Sequence, residues 1–178
     1  MHWIDLDLPD AMALRRRFFE ESDRRRMVAA SVTGDAWVEP VASSPGPWFF
    51  AVEAVLSYLS EVDVRRALAL IADHFPGAVI AFDTLGNWMR DHQDEHDALQ
   101  KMDARVEWFC EEPAALEDWG LRLELEESCI LPEGPEEVRA LLPPPMLVAL
   151  PALTADPQVQ SYKLNRFEVS PRRRPCNE

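Results

Sequence analysis

The hydrophobic positions in the first half of the chain alternate between short apolar runs and stretches with helical spacing. Runs buried on both faces of a sheet are apolar throughout, whereas a helix with one buried face repeats apolar residues every three to four positions. The predicted strands cover residues 3–8, 27–32, 48–52 and 78–82. The predicted helices cover residues 10–23 and 62–75, with Asp10 as an N-cap and Pro76-Gly77 as a stop. This order predicts an α/β fold with a mainly parallel sheet and helices on both faces.

The second half of the chain has a more mixed pattern. We predict a long, interrupted helix over residues 88–109, short helices over 113–119 and 136–142, and a rigid loop marked by Pro143-Pro144-Pro145 and Pro151. Strictly alternating strands are predicted at 121–126 and 162–169, which favours an antiparallel edge. Residues 1–170 are predicted to form one domain, followed by a disordered tail at 171–178.

Composition narrows the classes of function. The net charge of −14 argues against nucleic acid as a partner, because phosphate binding needs a basic surface. No apolar run has the ~20 residues that a membrane span needs, and the N-terminus has no signal-peptide pattern, so a cytoplasmic location is expected. The three cysteines are widely spaced, which predicts reduced thiols and no zinc site.

Polar residues stand at the ends of the four predicted strands of the first half. They are Asp7, Ser31, Glu53 and Asp83. The carboxyl ends of parallel strands meet at one edge of a sheet, where α/β proteins bind ligands, so these residues predict a cofactor cleft. Asp7 is placed to accept the two hydroxyls of a ribose, and helix capping or simple solvation is its alternative. Glu53 stands among apolar residues and needs a cation, either a ligand amino group or an internal arginine.

Several segments in this order resemble the leucine carboxyl methyltransferase superfamily, and in particular its bacterial tetracenomycin-polyketide-synthesis O-methyltransferases. They are residues 5–9, 28–32, 35–37, 50–59, 81–84 and 162–167, within a resemblance that covers residues 3–169. The resemblance implies a class I methyltransferase fold that uses S-adenosylmethionine. It also implies methyl transfer to a hydroxyl or carboxyl of a small molecule, such as an aromatic polyketide.

By this resemblance, Asp7 matches the acid that holds the cofactor ribose, and Ser31 and Val32 match the pair beside the adenine. Glu53 matches the acid near the methionine end of the cofactor. Many relatives have an acid at the position of Ser31, and their Glu-Gly is Glu53-Ala54 here.

The resemblance also implies a first strand and a glycine-rich loop ahead of Trp3, and no glycine precedes Gly34. The expectation is therefore a partial S-adenosylmethionine-dependent methyltransferase domain over residues 1–170. Two hypotheses follow from it. A complementing N-terminal chain or a homodimer completes the site, or the chain is a remnant that acts as a non-catalytic binding protein.

The acceptor side is expected after the fourth strand. His92 and His96 lie where the family covers its acceptor pocket, and either is a candidate catalytic base or substrate contact. Trp88, Met89, Trp108 and Phe109 either flank an aromatic acceptor or belong to the core. The spacing of the two histidines would also suit a metal on one helix face, but a solvated acidic helix is the simpler interpretation. No metal is predicted.

Overall fold

The protein, described by a computed structural model over residues 1–96 and 99–171, contains two β-sheets flanked by helices. The strands are β1 (Trp3–Asp7), β2 (Arg25–Ala29), β3 (Phe49–Val52), β4 (Val79–Leu85), β5 (Leu123–Ile130) and β6 (Tyr162–Val169). The helices are α1 (Pro9–Arg15), α2 (Val38–Ala42), α3 (Glu61–His74), α4 (Asn87–His92), α5 (Glu136–Arg139), α6 (Pro144–Thr154) and α7 (Pro157–Gln160). Short 3-10 helices cover Leu56–Tyr58, Leu99–Lys101, Pro113–Trp119 and Leu131–Glu133. Apart from Pro171, the predicted tail lies outside the described residues.

The two sheets are built from separate ladders. β1 pairs with β2 in parallel, and the second sheet has the order β3-β4-β6-β5. β3 and β4 are parallel, whereas β6 is antiparallel to both β4 and β5. The predicted mixture of a parallel first half and antiparallel late strands is therefore confirmed.

One hydrophobic core joins the two sheets. Ile4 and Leu6 of β1 and Phe50 and Val52 of β3 all pack against the same buried cluster. At its centre the Trp37 ring stacks on Phe75, with 5.7 Å between ring centroids. Helix α1 lies on β1 and β2 and buries Met12 completely. Among the described residues, no helix is both long and apolar enough to cross a membrane.

Helix α3 has local signals at its start that match its apolar spacing. Ser60 caps it by accepting a hydrogen bond from the Asp63 amide, at 3.3 Å, and Glu61 and Asp63 place negative charge in its first turn. Its buried face consists of Val64, Ala67, Leu68, Ile71 and Ala72.

The first helix is shorter than predicted. Helix α1 ends at Arg15 instead of reaching residue 23. The chain turns there because the Phe19 ring packs under the guanidinium groups of Arg15 and Arg25, 5.0 and 4.5 Å from its centroid. Asp10 is not its N-cap, a position that Leu8 occupies.

The long helix predicted over 88–109 is replaced by α4 and a 3-10 turn. Helix α4 ends at His92. Further along, the amides of Glu107 and Trp108 both donate to the Ser57 carbonyl, at 2.9 and 3.1 Å. This tie to another segment holds the chain out of a helix and buries the Trp108 ring.

The rigid loop predicted around Pro143 to Pro151 is also wrong, because residues Pro144–Thr154 form helix α6. Pro144 starts the helix, where a missing N–H costs nothing. Pro151 lies inside the helix. The helix continues past it, and the Thr154 hydroxyl donates to the Leu150 carbonyl at 2.9 Å. The sequence pattern missed that prolines are compatible with a helix at these two places.

Candidate cofactor and acceptor site

The carboxyl ends of β1 and β2 bring Asp7 and Ser31 to one edge. Asp7 is the last residue of β1, and its carbonyl accepts from the Ala30 amide at 2.9 Å. Ser31 therefore follows directly beside it. The Asp7 side chain is exposed, and its Oδ1 accepts from the Leu8 amide at 2.8 Å. This bond fixes the carboxylate at the end of the strand, where a ribose hydroxyl can reach it.

Ser31 and Val32 form a half-buried turn after β2. The Ser31 Oγ lies 2.8 Å from the Thr33 hydroxyl and accepts from the Thr33 amide at 3.3 Å. The carbonyl of Val32 accepts from the Trp37 indole N–H at 3.2 Å. Because Trp37 is buried in the core, this bond anchors the turn to the fold and leaves its outer side open.

Glu53 follows β3 and sits beside a strained turn. Its neighbour Ala54 has a φ of 52°, in the left-handed region that favours glycine. The Ala54 amide donates to Oδ1 of Asp83 at 2.7 Å, and Asp83 is only 4% exposed. Glu53 itself is exposed. Among the ion pairs of the described residues none involves Glu53, so its alternative role as an internal partner of an arginine finds no support.

Tyr162 completes this acidic corner from the first position of β6, opposite Leu85 of β4. Burial raises the pKa of its phenol to about 12, and the negative charges of Asp83 and Glu53 and a hydrogen bond with Asp83 act in the same direction. The phenol is protonated at neutral pH, and its hydroxyl is engaged with the Asp83 carboxylate. The sequence pattern placed Asp83 at the predicted cleft but assigned no role to Tyr162.

An open cavity of about 380 Å³ lies beyond the end of β4. Its lining residues are Asn87, Trp88, Glu111, Pro157, Gln160 and Ser161. The hydroxyl of Ser161 accepts from the amides of Gly86 and Met89, at 3.1 and 3.2 Å, and Glu111 accepts from the Asn87 amide at 2.6 Å. A Cβ at Gly86 would collide with the Glu111 carboxylate, so a larger residue here would displace that carboxylate from its present position. The cavity thus combines an aromatic wall with a fixed carboxylate.

The structure separates His92 from His96. His92 ends α4, and its ring stacks on Trp88 at 4.4 Å with Nδ1 2.8 Å from the Trp88 carbonyl oxygen. His96 lies beyond the helix, and its Nδ1 accepts from the Leu99 amide at 3.3 Å. The two imidazoles therefore do not share a helix face, and neither lines the cavity. His92 adjoins it through Trp88.

Four residues were expected either to flank an aromatic acceptor or to belong to the core, and the structure places some of them in each setting. Met89 and Trp108 are buried in hydrophobic clusters. Trp88 lines the cavity beyond β4, and Phe109 lines a second depression of about 230 Å³. The sequence pattern missed Glu111 and Ser161. The Cys110 amide donates to the Leu85 carbonyl and the Gly86 amide to the Ser161 carbonyl, and these bonds bring both segments to the end of β4. No local motif marks either residue.

Comparison with known proteins shows which sequences and structures this chain resembles. No family model matches the chain. The chain is 30% identical to the tetracenomycin polyketide synthesis O-methyltransferase TcmP of Streptomyces glaucescens over 135 residues, which are 76% of this chain and 50% of that enzyme. The chain is therefore similar in sequence to a bacterial O-methyltransferase. It spans about half the length of the curated relative that it matches.

Solved structures show that the chain has the class I methyltransferase fold. A structure from Thermobifida fusca YX that carries a methyltransferase assignment matches 95% of this chain and 63% of its own, with a TM-score of 0.61 and 15% identity. TnmH matches 96% of this chain and 43% of its own, with a TM-score of 0.56 and 12% identity. LepI, solved as a complex with S-adenosylmethionine, matches 94% of this chain and 36% of its own, with a TM-score of 0.53 and 12% identity.

Proposed function

We propose that this protein binds S-adenosylmethionine and takes part in methyl transfer to a hydroxyl or carboxyl group of a small molecule. The observation that carries the proposal is the position of Asp7 and Glu53, each at the carboxyl end of a parallel strand in a chain related to an O-methyltransferase. An aromatic polyketide is the acceptor class that the relative from Streptomyces glaucescens suggests.

The residues present fit the cofactor in charge and position. Asp7 is exposed and has its carboxylate fixed by its own turn, which suits the two hydroxyls of a ribose. The half-buried turn of Ser31 and Val32 stands beside it and offers a surface for the adenine. Glu53 lies at the acidic corner with Asp83, where an amino group gains a negatively charged partner.

The acceptor side of the proposal is the cavity beyond β4. The bound cofactor supplies an activated methyl group, and the protein holds the acceptor oxygen in line with it. In this proposal Trp88 stacks on an aromatic acceptor, and Glu111 or His92 removes the proton of a hydroxyl acceptor. A carboxylate acceptor needs no base. His96 does not line the cavity and its Nδ1 accepts from the Leu99 amide, so this proposal gives it no step in the reaction.

Saturation-transfer NMR with S-adenosylmethionine tests cofactor binding, because it detects weak complexes. We expect transfer to the ribose and adenine protons, its loss in Asp7→Ala and Glu53→Gln, and its retention in Glu137→Gln, a matched exposed acid on α5. Equal transfer in all four proteins, or none in the wild type, would contradict cofactor binding at this site.

The acceptor is tested separately by following labelled methyl groups into a panel of phenolic and carboxylated aromatic compounds. Trp88→Ala is expected to reduce transfer to aromatic acceptors while the NMR signals of the cofactor are kept. Cofactor binding without transfer to any acceptor would favour the alternative function, a non-catalytic binding protein.

A further inference from the structure

The hydroxyl of Ser161 has a proton that no protein group in the described part of the chain accepts. Ser161 is only 5% exposed and lines the cavity beyond β4. Its Oγ accepts from the amide of Met89 at 3.2 Å and, at 3.1 Å, from that of Gly86, which also bonds to the Ser161 carbonyl. A serine hydroxyl has two acceptor lone pairs and one proton, so these amides occupy both lone pairs. The O–H of Ser161 is therefore available to a ligand.

Glu111 offers the complementary group, a hydrogen-bond acceptor. Its Oε2 accepts from the Asn87 amide at 2.6 Å, which fixes the carboxylate at the cavity. None of the ion pairs within residues 1–96 and 99–171 involves Glu111. The Lys163 ammonium donates to the main-chain carbonyl of Glu111, at 2.6 Å, and leaves its carboxylate unpaired. The carboxylate therefore has a fixed position and an uncompensated negative charge.

Gly86 brings this donor and this acceptor close together. A Cβ at its position would lie 3.0 Å from Oγ of Ser161 and closer still to Oε2 of Glu111. The two oxygens therefore face the same side of Gly86, where no side chain separates them. Trp88 lines the same cavity, whose volume of about 380 Å³ is within the usual range for small-molecule sites. An aromatic ring that lies in this cavity meets both oxygens at one of its edges.

We propose that Ser161 and Glu111 form a donor–acceptor pair that selects neutral aromatic compounds with oxygens on two neighbouring ring carbons. One oxygen is a hydroxyl that donates to Glu111, and the other accepts from the Ser161 hydroxyl. Oxygens at opposite ends of a ring do not suit the pair, because both protein oxygens lie on one side of Gly86. A carboxylate is disfavoured, because the charge of Glu111 repels it and no lysine or arginine of the described residues lines the cavity.

The pair narrows the acceptor side of the proposed function. It fits an aromatic polyketide with two neighbouring ring oxygens, and it places a hydroxyl, and not a carboxyl, against Glu111. The step from binding to methylation rests on the proposed function, whereas the binding preference does not.

Ligand-observed NMR titrations of the full chain with catechol, hydroquinone and benzoate measure the preference. Catechol and hydroquinone have the same two hydroxyls and differ only in their spacing around the ring. We expect catechol to bind at least tenfold more tightly than hydroquinone, and benzoate to bind more weakly than either. No binding of catechol, equal binding of catechol and hydroquinone, or tightest binding of benzoate would overturn the proposal.

Ser161→Ala removes the donor and should abolish the preference for catechol over hydroquinone. The substitution also takes an acceptor from the amides of Gly86 and Met89, so the ratio of the two dissociation constants is the readout. A general loss of structure weakens both compounds alike and leaves that ratio unchanged. A folded Ser161→Ala variant that keeps the tenfold preference would contradict the pair.

Glu111→Gln decides the matter if Ser161→Ala does not fold. Glutamine keeps a carbonyl oxygen that accepts from the Asn87 amide but removes the charge. We expect benzoate to bind at least threefold more tightly to this variant, a gain that loss of structure does not produce. Glu112→Gln is the matched control, because Glu112 is an exposed acid that does not line this cavity, and it should bind all three compounds as the wild type does. Unchanged benzoate binding in Glu111→Gln would contradict the role of its charge.

Measurements with S-adenosylmethionine separate this inference from the proposed function. Preference for catechol without cofactor binding or methyl transfer would leave the pair standing and refute the function. Methyl transfer to phenols by a chain that binds catechol and hydroquinone equally would leave the function standing and refute the pair.

Discussion

Replacing Ala54 by glycine should stabilise the protein, although glycine usually weakens a fold. Ala54 has a φ of 52° and is exposed, so the substitution removes a strained Cβ without losing any packing. Holding an L-residue in the left-handed region costs about 1–2 kcal/mol. Glycine is more flexible than alanine in the unfolded chain, and this offsets roughly 0.5–1 kcal/mol of the strain that is relieved.

The expected net gain for Ala54→Gly is therefore about 0.5–1 kcal/mol, or roughly 1–4 °C in unfolding temperature for a chain of this size. Ala51 provides the matched control, because it is also exposed but lies in the extended strand β3. Ala51→Gly has no strain to relieve and should lose about 0.5–1 kcal/mol.

Urea and thermal unfolding test whether Ala54→Gly raises the free energy of unfolding and whether Ala51→Gly lowers it. The Ala54 amide donates to buried Asp83, and glycine keeps that amide, so the hydrogen bond should survive in the variant. A loss of stability in Ala54→Gly equal to that in Ala51→Gly would refute the reasoning, since it would show that residue 54 bears no left-handed strain.

Three further predictions address the acidic corner, the core and a buried thiol. In a Tyr58→Phe background, ultraviolet titration should show Tyr162 ionising near pH 12, and Asp83→Asn should lower that pKa because a neighbouring charge is removed. Because folding raises the pKa of Tyr162, its contribution to stability is complete below the unfolded pKa of about 10 and is lost as the pH rises toward 12. An unchanged pKa in Asp83→Asn would contradict the contact between Tyr162 and Asp83. Phe167→Ala should cost about 3–5 kcal/mol in urea unfolding, because its ring is fully buried and stacks on another ring at 5.2 Å, and a cost below 1 kcal/mol would contradict its burial. Cys110, whose pKa burial raises to about 11, should be alkylated slowly at pH 8 and faster as the pH rises, followed by mass spectrometry of its peptide; rapid alkylation at pH 7 would contradict its environment.

The parts of the fold that the sequence predicted well are those whose signals are local. Helix α3 occupies the predicted range to within one residue because one apolar face, a serine cap and a Pro76-Gly77 stop all lie within the segment. The final strand, Tyr162–Val169, also follows its alternation. Strand β4 extends three residues beyond the predicted end at residue 82, because Asp83, Thr84 and Leu85 continue the antiparallel ladder with β6.

The failures arise where distant segments decide the structure. The chain after His92 leaves the helix because its later residues bond to Ser57, a contact that no local pattern contains. The same applies to the site. The strand-end positions of Asp7 and Glu53 could be predicted from the sequence, since strand ends are locally marked. Glu111 and Ser161 could not be found, because hydrogen bonds between segments far apart in the sequence bring them to the cavity.

The ion pairs around Asp5 contribute to stability through contacts with a neighbouring residue and with residues distant in the sequence. Burial raises the pKa of Asp5, but hydrogen bonds from Trp3, Arg15 and Arg25 outweigh burial and leave that pKa below its ordinary value. The resulting stabilisation is present above the unfolded pKa and is lost as the pH falls through the folded one. Only the fold brings Arg25 from β2 to this carboxylate, at 3.2 Å.

The most direct test of the central claim is a crystal structure of the protein grown with saturating S-adenosylhomocysteine. The account predicts that the ribose hydroxyls contact the Asp7 carboxylate, the adenine lies against the turn of Ser31 and Val32, and the amino group faces Glu53. A cofactor bound elsewhere on the molecule, with Asp7 and Glu53 both facing solvent, would contradict it.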